Sequence, residues 1–305
     1  MNNKPENSNI QDLLPKIDGA YRFNVPLSKT NWFNVGGEAQ VLFRPSNIEQ
    51  LVFFLKNRPQ NINITILGVG SNLLVRDGGI KGVVIKLGRE FTQMTANGNI
   101  IESGAAALCY NLAMFAAVHN LTGLEFLVGI PGSVGGASFM NAGAYGSDIS
   151  SSLISADIID ENGNIQTLSN SDIGYIYRGQ TLPENIIFIK SRFKLEQGNR
   201  KDIEEKMDNI SKAREETQPI RSKTSGSTFK NPEGKKAWQL IDEAGCRGLK
   251  IGGAEVSTKH CNFFINSDNA TATDIENLGE EVRKRVKEES GIELEWEIKI
   301  IGDKI

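Results

Sequence analysis

Histidine is nearly missing from this chain, with 2 among 305 residues, so a catalytic cluster of several imidazoles is not expected. The 3 cysteines, Cys109, Cys246 and Cys261, are scattered and form no Cys-x-x-Cys pair. That argues against a zinc site and suits free thiols in a reducing compartment. No run is long and apolar enough to span a bilayer, and Met1 to Gln11 has no apolar signal core, so neither membrane nor export is expected and cytoplasm is the default. Nor is there an excess of one charge: 34 basic against 37 acidic residues give a net charge of -3. A dedicated nucleic-acid binder carries a strongly basic face, which this composition does not favour. Internal repeats and low-complexity tracts are absent.

Glycine is plentiful, 31 residues, and 8 of them cluster in two loops. The first runs Leu67-Gly68-Val69-Gly70-Ser71-Asn72-Leu73-Leu74. The second runs Gly129-Ile130-Pro131-Gly132-Ser133-Val134-Gly135-Gly136-Ala137, followed by Asn141-Ala142-Gly143-Ala144-Tyr145-Gly146. Glycines at several nearby positions let backbone N–H groups converge on an anion. A P-loop needs a lysine and a hydroxyl after its glycines, and Ser71-Asn72-Leu73 does not supply them. A dinucleotide fingerprint needs a third glycine opening a helix, but position 73 is leucine and Val75-Arg76-Asp77-Gly78-Gly79 turns instead. No acidic cluster accompanies the loops, so no Mg-nucleotide site and no metal are expected. Taken alone, the first loop is either a tight inter-strand turn or a pyrophosphate cradle. Two such loops favour one elongated phosphate ligand gripped from both sides.

The rest of the chain reads as three α+β blocks: 1–87, 88–197 and 198–305, with residues 1–20 prone to fray. Leu27 to Arg44 predicts strands around the turn Val35-Gly36-Gly37. Ser46-Asn47-Ile48-Glu49 predicts a capping box before a helix, and Ile62 to Leu67 a strand running into the first loop. Gly82 to Leu87 is another strand, and a helix is expected near 105–120. Ile154–Ile159, Ile165–Leu168 and Ile186–Leu195 are strands, the first two joined by a hairpin turn at 160–164. Helices follow near 202–216 and 235–244. Thr273-Asp274-Ile275-Glu276 predicts a second capping box, and Leu294 to Ile300 alternates like a half-buried strand.

At this point the residues resemble a family. The first loop, Ile130–Gly136 and Asn141–Gly146 look like the flavin-phosphate loops of UDP-N-acetylenolpyruvoylglucosamine reductases. Tyr177-Arg178-Gly179, Gly226-Ser227-Thr228-Phe229-Lys230-Asn231-Pro232, Lys250-Ile251-Gly252-Gly253-Ala254 and Leu294-Glu295-Trp296-Glu297 also match, in order, from about Thr30 to Gly302. The resemblance implies two FAD-binding subdomains of the vanillyl-alcohol oxidase type plus a substrate domain. It implies reduction of UDP-N-acetylglucosamine enolpyruvate to UDP-N-acetylmuramate for the bacterial cell wall. NADPH is the implied hydride donor, in a ping-pong scheme.

It further assigns noncovalent FAD to Gly68, Gly70, Ser71, Asn72, Leu73, Pro131, Gly132, Gly135, Gly136, Ala137, Asn141 and Gly143. Residues 65–80 hold no histidine or cysteine for a flavin tether. Substrate contacts would come from Tyr145, Arg214, Lys230, Asn231 and Arg247. Reduction of the vinyl ether builds negative charge beside a carboxylate, so a cation, a polar group and a proton donor are needed. The family motif implies Arg178, Glu297 and Ser227 for these roles. On sequence alone each has a plainer account: a surface arginine, a charged strand face and a turn serine. Glu297 needs burial for a raised pKa, and the strand pattern does not show burial. The connection from Arg178 to Ser227 is short and resembles the second family type, without an inserted tyrosine loop. A monomer is expected. The rivals are an FAD-dependent sugar or lactone oxidase, and a non-enzymatic UDP-sugar or flavin-binding module.

Overall fold

In the computed structural model the described residues are 10–305; the polar start at 1–9, expected to fray, lies outside them. Leu14 and Ala20 are buried in the core of the first sheet. That sheet orders Tyr21–Pro26, Glu38–Phe43, Ile80–Ile85 and Ile64–Ile66, the first pair antiparallel and the others parallel. Ile80–Ile85 is central and buried at every position but Lys81, as parallel strands covered on both faces are. Ile48–Asn57 covers one face with Leu51, Phe54 and Leu55.

A second sheet is wholly antiparallel: Ile165–Ser169, Leu153–Ile159, Ile187–Lys194, Ile100–Gly104 and Met94–Asn97. Cys109–Val118 and Val134–Met140 lie in its core, and Ile203 and Met207 of the helix Arg200–Thr217 pack there too. The remaining residues build a third core around the helix Ala272–Ser290, the helix Ala237–Glu243 and a three-stranded sheet from Lys250 to Asn266. Phe33, Val35 and Leu74 from the first block enter this third core. Lys299–Ile301 then pairs in parallel with Leu73–Val75, directly after the first glycine loop.

Several local expectations shift. The stretch 27–37 is not strand: a 3-10 turn at Leu27–Lys29 follows Pro26, and the buried Asn31 amide donates to Leu27 O and Val35 O, both at 2.8 Å. The strands lie on either side, at Tyr21–Pro26 and Glu38–Phe43. The first cap slides by one residue and does not close as a box. Asn47 caps Gln50 N, and Gln50 reaches back to Ser46 N at 2.8 Å. The second box is Thr271 with Asp274 rather than Thr273 with Glu276, because tertiary contacts claim the latter two. Asp77 accepts from Ala272 N, Thr273 N and Thr273 Oγ1, and Glu276 takes a two-pronged ion pair from Arg76 at 2.9 Å.

The alternating run Leu294–Ile300 forms no continuous ladder. Trp296 bridges Phe229, Glu297 N and Ile298 N both point at Thr228 O, and Lys299 N passes to Asn72 O. One edge thus hands over from the Ser227 segment to the first glycine loop.

Candidate active site

The two glycine loops face each other. A Cβ on Gly68 would fall 2.9 Å from Ser133 Oγ, and one on Gly132 would fall 3.8 Å from Ser71 Oγ. Gly70 has a left-handed backbone (φ 70°) and a Cβ there would lie 2.7 Å from Asn31 Cα, so the loop needs glycine at this point. The N–H groups of Val69, Gly70, Ser71 and Asn72 have no protein partner among the described residues, while Gly70 O and Asn72 O accept from Trp32 and Lys299. Adjacent unpaired N–H donors in a tight loop form an anion-binding concavity, so the residues present fit a flavin pyrophosphate. Opposite them, Ser133 caps the short helix Val134–Met140 through Gly136 N. Gly135 lets that helix touch Ala105, where a Cβ would sit 2.7 Å from Ala105 Cβ.

Other residues assigned to the cofactor have a side chain or carbonyl engaged within the protein. Ala137 is buried in the second core. Leu73 enters the ladder with Lys299, and its carbonyl accepts from Ser225 Oγ at 3.1 Å. Asn72 sends its amide to Glu297 O at 3.0 Å. Asn141 is the left-handed cap of the helix Val134–Met140 (φ 43°), and its amide donates to Ile176 O at 3.1 Å. Gly143 O accepts from Arg178 Nη2 at 2.8 Å.

Arg178 stands in a four-residue turn closed by Ile176 and Gly179, with φ 56° where glycine or asparagine is usual. Such a backbone costs on the order of 1–3 kcal/mol and persists where surrounding contacts impose it. Those contacts are Gly143 O, the Tyr177 ring 5.0 Å below the guanidinium, and Glu297 Oε1 at 3.0 Å from Arg178 Nε. Both side chains are mostly shielded, 20% and 16% exposed. Burial raises the Glu297 pKa above its ordinary 4.5, and Arg178 only partly offsets it. The burial that the strand pattern did not show is therefore present.

Ser227 is half-buried and bridges Phe263 through its backbone. Its neighbours tie it to Glu297: Thr228 O accepts from Glu297 N at 2.8 Å, and Lys230 N donates to Glu295 O at 2.9 Å. Asn262, 4% exposed, clamps Phe229 with both ends of its amide, at 2.9 Å and 2.8 Å. Asn262 was not singled out in the sequence; a lone asparagine between Cys261 and Phe263 was its only signal.

Tyr145 forms a two-residue hairpin turn with Gly146, both left-handed (φ 52° and 84°), a turn that ordinarily takes Asn-Gly. It is 47% exposed, and it interacts electrostatically with Arg214 on another element. Burial pulls the Arg214 pKa down, with Tyr145 acting against that. Lys230 pairs with exposed Glu295 at 3.3 Å. Asn231 and Arg247 are otherwise engaged: Asn231 Oδ1 accepts from Ala237 N, and Arg247 holds Asp242 with two prongs.

Comparison with known proteins gives a consistent result. A family model described as UDP-N-acetylenolpyruvoylglucosamine reductase, C-terminal domain, matches residues 218–301, and an FAD binding domain matches residues 39–169. UDP-N-acetylenolpyruvoylglucosamine reductases of Parvibaculum lavamentivorans and Anaplasma marginale are each 53% identical over 95% of this chain, covering 94% and 96% of their own lengths. The crystal structure of UDP-N-acetylenolpyruvylglucosamine reductase from Thermus caldophilus superposes with a TM-score of 0.80 at 35% identity, over 92% of this chain and 97% of that one.

Proposed function

The chain belongs to the UDP-N-acetylenolpyruvoylglucosamine reductase family, and from that premise we propose which of its side chains carry the reaction. It is an FAD-dependent oxidoreductase of peptidoglycan synthesis that reduces UDP-N-acetylglucosamine enolpyruvate to UDP-N-acetylmuramate with NADPH. The fold accordingly joins FAD-binding subdomains to a C-terminal α+β domain. Bound FAD would supply the hydride-transfer chemistry that links NADPH to the alkene of the substrate. The Val69–Asn72 nest and the Ser133–Gly136 turn would hold its pyrophosphate, without a covalent tether.

The observation that carries the assignment is the shielded Arg178–Glu297 pair, fastened by Gly143 to the second glycine loop. Arg178 keeps its charge at any working pH and holds the substrate carboxylate as negative charge spreads into it. Ser227 gives its proton to the carbon beside that carboxylate: the O–H bond breaks as the C–H bond forms. Glu297, with its pKa raised, stays protonated to a higher pH than a free carboxyl and donates to the same developing charge. Tyr145, Arg214 and Lys230 supply contacts for the nucleotide diphosphate; Arg214 Nε at present donates to Gln218 at 3.1 Å. Asn231 and Arg247 reach it only by releasing their present partners.

FAD is assigned chiefly to residues up to 197 and the substrate chiefly to 198–305, with Arg178 and Tyr145 as further substrate contacts, in a monomer working in the cytoplasm. Light scattering tests the monomer. The activity is tested by NADPH oxidation with and without the enolpyruvyl substrate. In Ser227→Ala, flavin reduction by NADPH should continue while substrate reduction slows ~10^2–10^4-fold. Unimpaired turnover by that variant rules out the proton-donor role.

A further inference from the structure

Each glycine loop carries one asparagine whose amide turns toward the catalytic pair. Asn72, at the end of the first loop, donates to the backbone carbonyl of Glu297 at 3.0 Å. Its own carbonyl accepts from Lys299 N at 3.1 Å, so residue 72 grips the segment at Glu297 O and at Lys299 N, on either side of Ile298. Asn141, at the end of the helix in the second loop, donates to Ile176 O at 3.1 Å, within the turn that holds Arg178. Its Oδ1 accepts from Ser150 N at 3.0 Å, which fixes the amide orientation. Asn141 is 4% exposed, so its donor is not competing with water. Nothing in the flavin-phosphate reading of these loops requires either bond.

We propose that Asn72 and Asn141 are positioning residues: their amides couple the two cofactor loops to the Glu297 carbonyl and to the turn that carries Arg178. The proposal rests on the assignment of that pair to catalysis. Glu297 and Arg178 come from segments 119 residues apart, and their 3.0 Å contact needs both backbones held. The first loop holds one and the second holds the other, so ordering the loops around a bound phosphate also orders the pair. A misplacement of about 1 Å can cost ~10^2-fold in rate, so loss of either clasp is read in turnover.

The variants are Asn72→Asp and Asn141→Gly, with Asn72→Ala as a second form of the first. Aspartate keeps the shape but replaces the donor with a charged acceptor, and alanine removes the donor without adding charge. Glycine keeps the left-handed backbone of position 141 without strain and removes the amide. Three readouts are taken on purified holoenzyme: FAD affinity by fluorescence titration, flavin reduction by NADPH, and reoxidation by UDP-N-acetylglucosamine enolpyruvate. The expected result is reoxidation slowed roughly tenfold or more, a loss larger than any change in FAD affinity or in the NADPH step. The Asn72 effect should also vanish in a Glu297→Gln background, since both changes then act on one group. FAD affinity weakened tenfold with normal reoxidation makes the asparagines direct cofactor ligands and overturns the proposal. So does a variant that folds and matches the parent in all three readouts. A parent enzyme that NADPH reduces but the enolpyruvyl substrate does not reoxidise refutes the assigned activity instead.

Discussion

Gly279 offers a perturbation in which two known effects oppose each other. It lies buried within the helix Ala272–Ser290, a position where alanine ordinarily stabilises by ~1 kcal/mol. Here the Trp296 ring occupies the space a methyl would need. An added Cβ would overlap Cη2 and Cζ2 and come within 3.0 Å of Cζ3. The ring has little freedom to withdraw: Phe229 packs against it at 4.9 Å between centroids, and its Nε1 donates to Glu280 at 3.1 Å. Overpacking costs ~1–3 kcal/mol, and overlap at two ring carbons puts this site at the upper end. After the propensity gain, Gly279→Ala should destabilise by about 2 kcal/mol, lowering Tm by roughly 4–8 °C. Because Trp296 precedes Glu297, the push should also slow substrate reduction more than flavin reduction. Scanning fluorimetry with stopped-flow of both half-reactions reads both effects. In a Trp296→Leu background the clash is gone, and the alanine should recover its helix-forming gain. A higher Tm for Gly279→Ala in the native background would refute the argument, since propensity would then have won over packing.

Three further outcomes are expected. Glu297 titrates above 4.5, so the activity that needs its protonated form is full at low pH and falls as pH rises through the raised value; Glu297→Gln should flatten that limb of the kcat profile, and an unchanged limb assigns it to another group. Asp77→Ala removes three hydrogen bonds at the start of the helix Ala272–Ser290 and should cost ~1–2 kcal/mol, read as a lower denaturation midpoint in urea. Acid precipitation should release the flavin into the supernatant; colour retained in the pellet contradicts noncovalent binding.

Residue chemistry explains why much of this was legible in the chain. Glycine clusters announce themselves because few other residues allow the backbone geometry they permit, and Gly70 bears this out with a left-handed backbone and no room for a Cβ. Period-2 apolar runs likewise marked Leu153–Ile159 and Ile187–Lys194 to within a residue or so. The shifted features all have long-range causes. Thr273 and Glu276 match a capping box, yet Asp77 and Arg76, some 200 residues away, claim them. Leu294–Ile300 has the right alternation for a strand, but its N–H groups serve two different partners in turn.

Sequence by itself determined most of the elements, the glycine loops, and through its motifs the family and reaction. Tertiary structure alone decided the burial of Glu297, the strained turn under Arg178, and the turning of Asn72 and Asn141 from the loops toward that pair. The physical reason is range. Backbone geometry and local periodicity are properties of a few adjacent residues, whereas desolvation and hydrogen-bond partnership depend on which distant segments are brought together.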